Sequence, residues 1–187
     1  MFARELEERM KVIARNTRCR VYSASYNPRY MYPYRLAKCT KVTPALRDSC
    51  YELMLDSAFE DPSVANSDII QQASEHNADY VFPKDYPGNA DRTLDSLHEF
   101  LDLAGAHSSF SLSSVIPIIQ YPYEEHLTTH NSFYDQFSHL AIGGLHGYSS
   151  PEQIKIIRRV RDTVGPHTHL HGFGIGMSLP MLRTLRQ

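Results

Sequence analysis

Tryptophan is absent from the 187 residues, and no apolar run reaches the roughly 20 residues that a bilayer crossing requires. A membrane-spanning helix is therefore not expected. Only three cysteines occur (Cys19, Cys39 and Cys50), an odd number without CxxC spacing. That pattern argues against a disulfide framework and against a cysteine zinc site, and it fits reduced thiols in a cytoplasmic protein. Internal repeats and low-complexity tracts are missing as well. The first residues, MFARELEERMKVIARN, are charged throughout and predict an amphipathic helix instead of a signal peptide. What is present is ordinary globular material, 42% hydrophobic, with enough apolar content for one core.

Charge is unevenly placed. The net value of −2 combines a basic start with an acidic middle. Residues 1–50 carry eleven Lys/Arg against four Asp/Glu, and residues 51–107 carry two against twelve. This divides the chain into a basic, Tyr-rich N-terminal segment (1–50), with a helix and a first strand, and a body (51–187). Within the first, SYNPRYMYPYRLAK (25–38) interleaves tyrosines with Arg29, Arg35 and Lys38. Aromatics beside cations can stack on unpaired bases while holding phosphates, so these three are nucleic-acid-binding candidates. A Pro/Tyr-rich loop packed over the end of the domain, and a merely solvated charged surface, are the alternatives.

After residue 50, short apolar runs alternate with helical patterns. Strands are predicted at 51–56, 79–83, 114–120, 139–144 and 167–174, with an earlier one at 19–25. Helices are predicted near 66–77, opened by Asn66 and Ser67, at 91–105 and 123–137, and within SPEQIKIIRRVRDTVG (150–165), with another from Ser178. Ser150 is the expected N-cap of the helix within 150–165, and Gly165 its stop. Such alternation predicts parallel βαβ units in an α/β fold, either a doubly wound sheet or a barrel. Polar residues at successive strand ends favour a (β/α)8 TIM-type barrel, whose functional face lies there. Five to six βα units are legible, whereas a full barrel takes about 250 residues, so an incomplete barrel is expected.

Several strand-end residues could carry chemistry. Asp56, ending LMLD, would be a carboxylate whose partial burial lets it exchange protons near neutrality. Asp85, in FPKDYPG, can accept two N–H bonds from the edge of a guanine-like base. Gln120 offers a donor and an acceptor together. Gly143 and Gly144 let backbone approach a flat ligand. His167, His169 and His171 alternate, which raises a metal site, but no carboxylate or cysteine partner is spaced to complete one. GFGIG (172–176) departs from the dinucleotide pattern GxGxxG. Each of these also has a plain structural reading as a cap, a turn or a pocket wall.

Together the segments resemble the tRNA-guanine transglycosylase superfamily, and more closely its virus-associated 7-deazaguanine DNA transglycosylases. LMLDSAF (53–59) resembles the DSGGF segment with the double glycine contracted to Ala58. IPIIQYPYEEHL (116–127) resembles the strand ending V-Q-G-G. FYDQFSHLAIGGLHGYSSPEQ (133–153) resembles the A-I-G-G-L segment, and HLHGFGIGMSLPML (169–182) the Y-L-M-G-V-G segment. DYVFPKDYP (79–87) is similar to the region of a second base-reading Asp. The resemblance covers about residues 50–187 and implies a guanine-for-7-deazaguanine exchange in DNA. It makes Asp56 the acid/base and lines the base pocket with Ser57, Phe59, Asp85, Gln120, Gly143, Gly144, Leu145, His171 and Gly172. The implied partners are a nucleic acid and a free 7-deazaguanine base, with no cofactor. The family's nucleophilic Asp beyond G-x-G and its Cys-rich zinc site have no counterpart here, which implies a second chain or a further C-terminal part. A tRNA-directed transglycosylase or its non-catalytic subunit, a base-binding module without chemistry, and a metal-hydrolase using the histidines are the alternatives.

Overall fold

The computed structural model describes residues 20–107 and 110–175 together with Met181. The helices expected over the first sixteen residues and from Ser178 lie outside the described residues. Six strands run Tyr34–Lys38 (β1), Glu52–Asp56 (β2), Tyr80–Val81 (β3), Ile118–Ile119 (β4), His139–Ile142 (β5) and His169–Gly172 (β6). Six helices connect them: Pro44–Arg47 (α1), Asn66–Glu75 (α2), Ala90–Ala106 (α3), Tyr123–Thr129 (α4), Asn131–Tyr134 (α5) and Ser150–Val164 (α6).

The α/β class and the parallel pairing follow the sequence pattern; the barrel does not. The strands form two three-stranded parallel sheets, β1-β2-β3 and β4-β5-β6, and the described residues form no eight-stranded barrel. Between the sheets the ladder shrinks to a single bridge, Val81 to Val115, with the Ile116 amide donating to the Val81 carbonyl at 2.9 Å. Proline supplies the reason. Pro83 and Pro117 lie just past the bridged positions, and neither has an N–H to extend the pairing.

One strand expectation and one helix expectation also change. The 19–25 segment contributes only a bridge from Ser23 to Arg35, while the unforeseen β1 lies in the Tyr-rich segment and pairs residue for residue with β2. The helix expected over 123–137 breaks into α4 and α5 around His130.

Alternation along the strands sorts side chains onto two faces. Leu55, Ile119 and Ile142 join the large core under the helices, with Leu97, Phe100 and Val160. Their neighbours Met54, Ile118 and Ala141 pack with Phe82 and Ile116 on the opposite face. Burial on both faces explains why the central parts of β2, β4 and β5 read as apolar runs. Two residues further along, Asp56 at the end of β2 and Gln120 and Gly143 just past β4 and β5 continue the second face.

Candidate functional site

A chain of short polar contacts ties these strand ends together. The buried Ser57 hydroxyl donates to Asp85 Oδ1 at 3.0 Å, and Gln120 Nε2 donates to Asp85 Oδ2 at 3.0 Å. Asp85 and Gln120 are only 7% and 1% exposed. Gln120 in turn lies against Gly143: a Cβ there would stand 2.4 Å from Gln120 Nε2 and would push the amide out of its present place. Gly144 turns the chain with a positive φ of 71°, a backbone state that glycine adopts without strain. Tyr123 closes this side, its hydroxyl donating to the Gly143 carbonyl at 2.8 Å.

Electrostatics single out the two aspartates. Burial, opposed by the Ser57 hydroxyl and reinforced by the charge of Asp56, pushes the Asp85 carboxyl up to about 6. Asp56 is also raised, chiefly by burial, against the pull of the Ala58 amide and the Lys38 ammonium. Lys38 sits beside Asp56 in the β1–β2 register and is ion-paired with Glu60. Ala58 holds a left-handed φ of 52°, a backbone state that L side chains rarely adopt. Two carboxyls, an amide, a hydroxyl and a glycine-lined backbone therefore meet at one end of the strands. Such a set can lend or take a proton, and it offers acceptors for N–H groups and a donor for a carbonyl to a ring that displaces the Ser57 and Gln120 bonds to Asp85.

The remaining expected residues fall in three groups. Phe59 is 46% exposed, just past Asp56 and Ser57 in the chain. Leu145 is fully buried in the main core, so its side chain belongs to packing. Gly172 pairs with Ile142, and its missing Cβ leaves room for Ile175. His171 is one residue back from Gly172 on β6, with Tyr22, Phe82 and Phe173 around its ring at centroid distances of 5.7, 5.2 and 4.8 Å. Burial drops its imidazolium to about 4, leaving a neutral aromatic wall at physiological pH.

The histidine run does not gather. His169 stacks on His139 at 4.7 Å, away from the aromatic surroundings of His171. Among the described residues no three His, Cys, Asp or Glu side chains come together to hold a metal ion. No helix of the described residues is long and apolar enough to cross a membrane.

Of the cations in the Tyr-rich segment, Arg29 is exposed. Arg35 is 1% exposed, and its guanidinium donates to the carbonyls of Ser25 at 2.5 Å, of Asn27 at 3.2 Å and of Tyr30. It organises the loop before β1 and has no face left for a phosphate.

Sequence reasoning missed Tyr123, although it lies three residues past Gln120. It also missed Lys84, whose buried ammonium donates to the carbonyls of Asp61 and Val64 at 2.6 Å each and pins the loop after β2. Asn66, expected as a helix cap, instead accepts the Lys84 amide at 2.9 Å and reaches Ser96 on α3, fixing the segment that carries Asp85. Nothing local in the sequence marks such contacts, which join residues 18 to 30 apart.

Compared with known proteins, the chain matches no family model, no curated protein and no solved structure.

Proposed function

We propose that the Asp85–Gln120–Gly143 site takes a guanine-type base and that the chain acts in exchanging guanine for a 7-deazaguanine in a nucleic acid, with DNA the preferred acceptor and tRNA the alternative. The observation that carries this reading is the continuous contact chain from Ser57 through Asp85 and Gln120 to Gly143. A carboxylate matches the paired N–H groups on a guanine edge, and the Gln120 amide, beside the half-buried Gly144, matches its carbonyl. The half-buried Asp56 beside them has the raised proton affinity suited to protonating a departing base and later accepting the proton of an incoming one. The base must leave a helical stack to enter, at a cost on the order of a few kcal/mol. His171 contributes an uncharged wall.

Two measurements separate recognition from chemistry. Labelled-guanine incorporation into duplex DNA and into tRNA reads exchange, and calorimetric titration with free 7-deazaguanine reads binding. Asp56→Asn is expected to lower exchange by at least about a hundredfold, the scale of a lost acid/base group, while base binding persists. Unchanged exchange in that variant removes the catalytic assignment. Base binding by the wild type with no exchange into either acceptor reduces the site to a base-binding module.

A further inference from the structure

A cleft of about 170 Å³ opens between the start of α4 and one side of α6. Its walls are Tyr121, Tyr123, Tyr148, Ile156 and Arg159, with Glu124 at the edge. Tyr121 is 65% exposed, and its ring meets that of Tyr123 edge-on at 6.2 Å. Tyr148 is 38% exposed, so its ring and that of Tyr121 face solvent, while the buried Tyr123 forms the floor between them. The same Tyr123 hydroxyl holds the Gly143 carbonyl, which makes this cleft the back wall of the base-recognition site.

One side of the cleft is cationic. Lys155, Arg158 and Arg159 are all exposed on α6; Lys155 lies three and four residues from the two arginines and neighbours each, and Arg159 lines the cleft. Arg159 meets one opposing charge there, Glu124, at 3.6 Å, a distance and exposure at which an ion pair holds weakly. Exposed aromatic rings beside cations are the combination that seats single-stranded nucleic acid, with bases on the rings and phosphates on the cations.

We propose that this cleft seats the nucleotide next to the one whose base enters the Asp85–Gln120 site, its base against Tyr121 and Tyr148 and its phosphate against Arg159. The inference rests on the reading of the substrate as a nucleic acid. It assigns strand binding to α4 and α6 instead of the Tyr-rich segment, whose Arg35 is consumed internally.

Fluorescence anisotropy of the full chain with labelled oligothymidylate of about ten nucleotides tests it, because that probe spans such a site yet has no guanine for the recognition site. Tyr121→Ala and Arg159→Ala are expected to weaken binding on the order of tenfold, and Arg159→Ala to lower the salt slope by about one. Glu124→Gln is expected to tighten it, since the phosphate no longer competes with a carboxylate. Tyr121, Glu124 and Arg159 are surface side chains, so matched circular dichroism spectra confirm folded variants. No binding by the wild type, or wild-type affinity in Tyr121→Ala and Arg159→Ala, overturns the proposal whatever the exchange assays give. Equal displacement by polyglutamate, with Tyr121→Ala silent, reduces the cleft to a general anion patch and overturns it too. Absent guanine exchange with these expected shifts intact removes the chemistry and leaves the cleft standing.

Discussion

Asp85 shows how one buried side chain can hold the recognition geometry and still act against stability. Its carboxyl rises from an ordinary 3.8 to about 6, because leaving water disfavours the charged form more than Ser57 and Gln120 restore it. The folded chain therefore holds the proton more tightly than the unfolded chain does. The associated stability is complete below 3.8 and is lost as pH rises through about 6. Denaturant titrations between those limits are expected to show the wild type losing stability relative to Asp85→Asn as pH increases. Parallel curves for the two proteins would mean that Asp85 titrates at its ordinary value. Asp56 titrates nearby and is also raised, so the same comparison in an Asp56→Asn background isolates the Asp85 contribution.

At the level of elements, short strands are stabilised by what covers them. β3 and β4 have two residues each, too little ladder to persist alone, and they are held by Phe82 and Ile116 on one side and by Phe100 and Leu97 of α3 on the other. α6 forms for more local reasons. Its Ser149 hydroxyl and amide both donate to the Glu152 carboxylate, at 2.6 and 2.9 Å, Pro151 lies in the first turn, and Gly165 ends it at a positive φ of 75°. Ser149→Ala is expected to cost about 1 kcal/mol and to lower Tm by about 3 °C, with Ser150→Ala near neutral. Differential scanning calorimetry of the two variants decides between the caps. A larger loss at Ser150 would restore the boundary expected from sequence.

For the whole molecule, the weak seam between the sheets does not divide the core. The large cluster draws Ala37 and Leu55 from one sheet and Ile119, Leu140 and Ile142 from the other, and the helices close over both. One cooperative unfolding transition is therefore expected. With no tryptophan, tyrosine fluorescence and far-ultraviolet circular dichroism are the two probes, and their denaturation curves should coincide. Separate midpoints would mean that each three-stranded sheet unfolds on its own.

The amino-acid sequence determined which segments form β2, α2, α3 and α6, because apolar periodicity, caps and stop residues act within a few positions of one another. It also marked Asp56, Asp85, Gln120 and Gly143 as polar or small groups at strand ends. Only tertiary structure decided how the strands assemble. Pro83 and Pro117 do not face each other in sequence, and the ladder they interrupt between β3 and β4 exists only once those strands approach. Arg35 read as a phosphate ligand because its charge is local information, whereas the carbonyls that surround it depend on the folded path of residues 25–30. The cleft beside Tyr123 was likewise invisible, since α4 and α6 become neighbours by packing on one sheet and share no pattern along the chain.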